Sequence, residues 1–452
     1  MNFKLFRSSK DPVADLVPPR SLWTSQRSYI LASVAGVVGL GNLWRFPYMV
    51  GENGGGTFIL VYIICMLLMG IPLYIIEAGA GKMAGRGPVG TFRRVNAKWG
   101  PWFGRFLILI TIAIMSYYLV ISGWTLGYAV DSVGGNLKTF KDFTSGFASL
   151  WYLLIIAVPV FWILSKGLKG LEQMSRFLLP LLVLIVGGLA VYTQTLSGAS
   201  EARDFYFNFD PARFMDVNTW RNAAGQAFYS LAIGMGFLIA YGSYVPKQFN
   251  MITTSAAVAL TNSGISITAG LMIFPIVFTF GIAPDAGSEL SFTALPRLFL
   301  EIPGGFFIGI AFYMLLMLAA FTSCVGGMAV AMVPLQDEFK MTKRKAALAV
   351  TAVVTLLGIP SALSFTPIGL SLGDRPFLEM VDQLTGSGVI VVAGIAGAAL
   401  ITWLLPRQSM LDSINSPNIK LGPIVFSASW IVQIGRYLPI AAALLLLTMF
   451  LV

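Results

Sequence analysis

From about residue 28 onward the chain alternates long apolar runs with short clusters of charged and turn-forming residues. Crossing a bilayer as a helix takes about 20 apolar residues. On that measure the pattern predicts eleven spans, near 28–50, 57–82, 105–130, 148–164, 177–195, 222–245, 251–281, 303–335, 346–363, 384–405 and 437–452. The seventh and eighth exceed the bilayer thickness and must tilt or project beyond it. Residues 423–435 read as a short interfacial helix before the last span. The first 27 residues are polar and basic and lack the apolar core of a secretory signal. A transmembrane β-barrel would show short alternating segments instead.

Composition agrees with an all-α polytopic membrane protein. Of 452 residues, 56% are hydrophobic and 11% charged, against roughly 25% charged in soluble domains. Cys65 and Cys324 lie within apolar runs and imply no disulfide framework. Histidine is absent, which removes the commonest catalytic base and a frequent metal ligand. A net charge of +10 would suit nucleic acid, but in a membrane chain it reads as positive-inside loops. With a cytoplasmic N-terminus, 22 of the 30 Lys and Arg residues fall on the inner side. Eleven crossings then place the C-terminus outside.

The chemistry starts in the first span, at "GVVGLGNLWRFPYMVGENGGG", residues 36–56. Each glycine weakens a helix by about 1 kcal/mol relative to alanine. Gly36, Gly39 and Gly41 together make local unwinding easy, and Asn42 and Arg45 follow at once. Unwound backbone at membrane depth is tolerated only where it lines a cavity or binds something. Carbonyl oxygens suit a monovalent cation, and free amides at a half-helix N-terminus suit a carboxylate. Close helix packing through small residues is the bland alternative. Five spans later, "YSLAIGMGF" at 229–237 repeats a glycine interruption. An odd number of spans between two such breaks gives the units opposite orientation, the signature of an inverted repeat.

Further polar groups sit within apolar runs. Thr322 and Ser323 could complete an oxygen cage, or each could bond back to its own helix. Asn262 and Ser266 are four residues apart, as are Gln226 and Ser230, so each pair shares a helix face. Such pairs fit a buried ion site or interhelical hydrogen bonds. Glu77 ends an apolar run; it is either functional within the membrane or solvated at its edge.

The segment "VGLGNLWRFPYMVGENGGGTF" closely resembles the first-span signature of the neurotransmitter:sodium symporter family. The resemblance continues through "YYLVISGWTLGYA" (117–129), "GQAFYSLAIGMGF" (225–237), "YGSYVPK" (241–247), "FTS" (321–323) and "QDEF" (336–339). It implies two inverted five-helix repeats, here 28–195 and 222–405, with unwound first and sixth helices. An N-terminal cytoplasmic segment, 1–27, and the interfacial helix with the eleventh span, 423–452, flank them. Within the family this chain is similar to the bacterial amino-acid branch, to which the leucine transporter belongs.

Two sodium sites follow from the resemblance. The first would use Val37, Asn42, Ser230 and Asn262; the second Ala35, Val38, Ala319, Thr322 and Ser323. An amino-acid substrate would lie between the breaks, its carboxylate met by Tyr118 and by amides around Leu40 and Gly41. Gly36, Val37, Ile114, Tyr229, Ser230, Ala232, Met235, Ser323 and Gly327 would surround the rest. No carboxylate stands between Ala35 and Arg45, so the substrate brings its own. Gly326 and Gly327 suggest room for a large apolar side chain. Ser266 stands where chloride-independent members carry an acid. Chloride would then be held by Tyr62, Gln226, Ser230, Asn262 and Ser266, with Glu77 the rival source of negative charge. Arg45 and Asp382 would close the outer side, above Tyr118 and Tyr229. Arg20 and Asp337, near Trp23 and Tyr244, would close the inner side.

The reading is thus a sodium-coupled, chloride-assisted importer of a neutral, hydrophobic amino acid in the plasma (inner) membrane, with a homodimer left open. A sodium-linked sensor without net transport is the alternative. A channel fits poorly with two closing charge pairs. An intramembrane enzyme fits least, lacking histidine, a GxSxG motif and paired carboxylates in the spans.

Overall fold

Hydrocarbon offers backbone groups no partner, so each apolar run must satisfy its own peptide bonds and becomes helix. A computed structural model describes residues 21–284, 299, 304–414 and 427–451. The chain begins with a bent pair, α1 (Gln26–Val37) and α2 (Gly41–Glu52), whose axes differ by 59°. Four unbroken helices follow: α3 (Gly56–Ala84), α4 (Gly100–Val133), α5 (Ala148–Ser165) and α6 (Leu168–Thr193). A second broken element comprises α7 (Val217–Ser230) and α8 (Phe237–Gly242). Then come α9 (Met251–Thr279), α10 (Gly305–Asp337), α11 (Lys343–Ala362) and α12 (Phe377–Leu404). The last helix described is α13 (Ala428–Leu451).

Among the described residues, eight helices are long and apolar enough to cross a membrane, and the bent pair makes a ninth. The remaining two expected spans coincide with α7–α8, whose halves are short, and with α13. Several helices begin earlier than expected: α4 at Gly100 rather than 105, α7 at Val217 rather than 222 and α12 at Phe377 rather than 384. The fifth spanning helix starts at Leu168 rather than 177; Lys169, Glu172 and Arg176 lower the hydropathy of its first two turns, whose other face, with Leu168, Leu171 and Met174, is buried. The separate interfacial helix expected at 423–435 is corrected: residues 428–435 continue into the last span as one helix, and 423–426 lie outside the described residues.

Packing places the two breaks side by side. Helix α4 lies along α10, with α5 and α11 against both. Helix α1 is enclosed by α6, α9 and α10. The halves of the second broken element lie on the two ends of α3, α7 on the first and α8 on the second. The edges of the two breaks therefore adjoin, Gly41 facing the Tyr229 ring and Gly36 facing Phe237, within a frame of unbroken helices.

Candidate functional site at the two helix breaks

The first break opens where Val38 turns extended, at φ −76° and ψ 107°. The peptide groups it releases are met by side chains from other helices. Gly39 N donates to Asn42 Oδ1 at 3.1 Å, and Leu40 N to Tyr118 Oη at 3.0 Å. Ser323 Oγ donates to Gly36 O at 2.9 Å, and Gln226 Nε2 to Gly41 O at 2.8 Å. The helix restarts with a wide turn over Gly41–Arg45, Phe46 N reaching back to Gly41 O; such bulges collect at functional sites. A Cβ on Gly39 would run into the Tyr118 hydroxyl and would lie 2.9 Å from Ser323 Oγ. The glycine thus lets two predicted substrate-site residues approach the backbone.

Beside this break lies a buried cluster of neutral polar groups. Asn42 Nδ2 donates to Asn262 Oδ1 at 2.9 Å and to Ser266 Oγ at 2.7 Å. Asn262 Nδ2 reaches Ser230 Oγ at 3.3 Å, and Tyr62 Oη pairs with Ser230 Oγ at 3.3 Å. Gln226 Oε1 is buried without a partner. All the side chains expected for the first sodium and for chloride are therefore brought together. Ser263, whose hydroxyl lies 3.4 Å from Tyr62 Oη, joins them unforeseen; it adjoins Asn262 in "TNSGIS", and that adjacency was its only signal. No group of three or more His, Cys, Asp or Glu that could hold a metal occurs among the described residues. The donors present are neutral amide and hydroxyl oxygens beside freed backbone, a set that suits a monovalent ion.

The second expected sodium site is partly assembled. Ser323 crosses to α1 through Gly36 O. Thr322 instead bonds within its own helix, to Leu318 O at 3.0 Å and Ala319 O at 3.2 Å. The Ala35 and Val38 carbonyls belong to the buried end of α1 opposite these hydroxyls.

The second break is built differently. Ala232, Gly234 and Gly236 all take left-handed backbone, with φ of 53°, 83° and 71°. Alanine adopts this at a cost of about 1–2 kcal/mol, so the surroundings must impose it. Glu77, buried in α3, accepts from Gly234 N at 2.9 Å. Thr111 Oγ1 donates to Met235 O at 2.5 Å. A Cβ on Gly234 would strike Ile390 O and lie 2.6 Å from Gly394 N. Glu77 is thus no solvated residue at the membrane edge. Nor is it beside the neutral cluster: Tyr62 and Glu77 are fifteen residues apart on α3, roughly 22 Å of helix rise.

Ile114, Ala232, Met235 and Gly327 are buried around the breaks. The room expected beside Gly326 and Gly327 is occupied. Gly326 faces the Gly36 backbone, and Gly327 faces the thioether and methyl of Met115. Those glycines serve helix packing, and Met115 is a site neighbour missed in the sequence.

Two cavities approach from opposite ends. One, of about 670 Å³, is bounded by Arg45, Tyr118, Tyr229 and Asp382 and reaches Leu40 and Gly41. Arg45 lies 4.6 Å above the Tyr229 ring, and Asp382 accepts from Tyr117 Oη at 2.7 Å. Asp382 is therefore positioned by a tyrosine that the charge-pair reading did not single out. The other cavity, of about 290 Å³, is bounded by Trp23, Gly167, Tyr241 and Asp337. Trp23 is 2% exposed; its Nε1 donates to Tyr241 O and its backbone N to Tyr244 O, each at 3.0 Å. Thr24 is tied to Glu172 on α6 through N at 2.8 Å and Oγ1 at 2.9 Å. Asp337 accepts from Gly87 N at 3.1 Å. Arg20, its expected partner, lies outside the described residues.

A model of the "Sodium:neurotransmitter symporter family" matches residues 20–141 and 144–450. An uncharacterized sodium-dependent transporter of Haemophilus influenzae is 31% identical over 86% of this chain and 90% of its own. The human sodium- and chloride-dependent GABA transporter 2 is 25% identical, over 93% of this chain and 81% of its own. The crystal structure of MhsT in complex with L-phenylalanine superposes with a TM-score of 0.85 at 33% identity, covering 95% of this chain and 99% of that one.

Proposed function

The chain belongs to the sodium:neurotransmitter symporter family, and from that premise we propose that it imports a neutral, hydrophobic amino acid together with two sodium ions and chloride. Membership makes it a sodium-coupled membrane transporter rather than an enzyme. The observation that carries the substrate class is the first break. It presents a backbone amide at Leu40 and the Tyr118 hydroxyl, now bonded to each other, with no acid between Ala35 and Arg45. An arriving carboxylate takes both donors and leaves neither unpaired. The relative solved with L-phenylalanine supports an apolar amino acid.

Sodium enters the same cluster by exchange. The Asn42 and Asn262 amide oxygens accept from Gly39 N and Asn42 Nδ2. A cation at the first site replaces those N–H partners and draws the oxygens, Ser230 and the Val37 carbonyl around itself. Thr322 and Ser323, released from Leu318 O and Gly36 O, turn to the second cation with the carbonyls of Ala35, Val38 and Ala319. Two cations and a zwitterion leave net positive charge in a medium where desolvation is expensive. Glu77 is engaged at the other break, so chloride among Tyr62, Gln226, Ser230, Asn262 and Ser266 is the compensating charge we favour. Loading draws Arg45, Tyr229 and Asp382 together over the site. The inner side opens as Trp23 leaves Tyr241 and α6 loosens near Gly167–Gly170.

The orientation proposed is N-terminus inside, in the plasma (inner) membrane. Proteoliposome uptake of a twenty-amino-acid panel tests the whole reading. Accumulation of an apolar amino acid is expected only with an inward sodium gradient, and it is expected to fall when gluconate replaces chloride. Tight sodium-dependent binding without uptake would make the protein a sensor instead.

A further inference from the structure

Two apolar grooves open on the outer wall of the helix frame, and they differ in one respect. The first, of about 650 Å³, runs between α4 and α12 past Phe103, Met380, Leu384 and Val392, and no charged residue lines it. The second, of about 640 Å³, runs between α4, the end of α10 and α11, past Leu109, Pro334 and Val353, and has Arg105 at its mouth. There the Arg105 guanidinium lies 4.8 Å over the Trp102 ring, and Trp102 is 68% exposed. Aromatic rings of this kind settle at the membrane–water boundary. From Trp102 to Ile112, both in the lining, is ten residues of α4, about 15 Å, the depth of one hydrocarbon leaflet.

Charge at the mouth is basic. Lys345 is exposed on the first turn of α11, four residues before the lining residue Ala349 and on the same face. The acid in the lining, Glu338, is already engaged in an ion pair with Arg93. Basic pockets between membrane helices on the cytoplasmic side suit anionic headgroups. We propose that this groove holds one acyl chain of an anionic phospholipid, its phosphate between Arg105 and Lys345. The leaflet assignment rests on the orientation proposed above; the binding itself does not.

Native mass spectrometry of the full chain in detergent, titrated with dioleoyl phosphatidylglycerol or dioleoyl phosphatidylcholine, tests this without reference to transport or sidedness. The first bound lipid is expected to be phosphatidylglycerol by severalfold. Arg105→Ala should lower that preference about fivefold, the weight of one basic residue at an anionic surface, while Arg105→Lys should retain most of it. Val353→Trp should abolish the preferred site. Leu384→Trp, in the uncharged groove, should leave the preference unchanged. Thermal melting of each variant separates lost binding from lost fold. Equal binding of the two lipids, an unchanged preference in Arg105→Ala, or a dimer in which a second copy fills the groove would each overturn the assignment.

Discussion

The two helix breaks release the same kinds of peptide group, yet they are held open by opposite means. At 38–40 the backbone stays within ordinary torsions, and side chains from α2, α4, α7 and α10 satisfy the freed groups. At 231–236 the backbone itself is displaced, with an alanine and two glycines in left-handed conformation. There a single carboxylate and one threonine provide the side-chain anchors identified. The first break can exchange its partners for ligands without changing its course. The second is pinned by its own torsions and by the backbone of residues 390–394 against Gly234. Under the function proposed above, the first break would supply most of the exchangeable partners for ions and carboxylate, and the second the wall they work against.

That contrast can be broken at either side. Removing Asn42 should have the largest effect. Asn42→Ala takes away both the acceptor for Gly39 N and the amide bridge to Asn262 and Ser266. Sodium-driven uptake in proteoliposomes is expected to fall at least about a hundredfold, in line with the loss of two or more buried polar interactions. Uptake within threefold of the parent would refute the assignment of the first break to sodium.

Next comes Gly234→Ala, which places a Cβ at positive φ against Ile390 O. Strain of this sort amounts to about 1–3 kcal/mol before the clash is counted. The melting temperature should drop by several degrees. Gly225→Ala, inside α7 where a Cβ would meet nothing within 4 Å, should leave it unchanged or raise it slightly. Equal melting of the two variants would argue that the second break is not rigid.

Glu77→Gln keeps an acceptor for Gly234 N but puts an amide NH2 where the second carboxyl oxygen is buried without a partner. A buried donor left unpaired costs about 1 kcal/mol or more. Uptake should slow by about five- to tenfold while the sodium concentration for half-maximal rate shifts less than twofold. A large shift in sodium dependence would place the carboxylate at the ion site after all.

Smallest of all should be the effect of Glu172→Gln, which weakens the tether from α6 to Thr24. Cysteine labelling on the inner side near Tyr241 should quicken about two- to threefold. No change would mean that Trp23 alone seals that face.

Much of this architecture is local and could be read directly from residue order. A peptide group in lipid must find its partner within its own helix, so span positions follow from apolar runs. The helices overlap every expected span, but α6, α12 and α13 begin seven to nine residues early, where charged or polar residues lower the hydropathy of their first turns. The first break was legible because Gly36, Gly39 and Gly41 precede Asn42. The polar pairs Gln226–Ser230 and Asn262–Ser266 were legible because four residues make one helical face.

What tertiary structure alone decided concerns partners far apart in sequence. Met115 fills the space that Gly327 seemed to leave, Tyr117 positions Asp382, and Glu77 anchors Gly234 across 157 positions. Ala232 gives no hint in its own chemistry that its backbone turns left-handed. A helical run carries its hydrogen bonds in its own sequence, whereas a broken one must borrow them, and the lender is settled only when the helices pack.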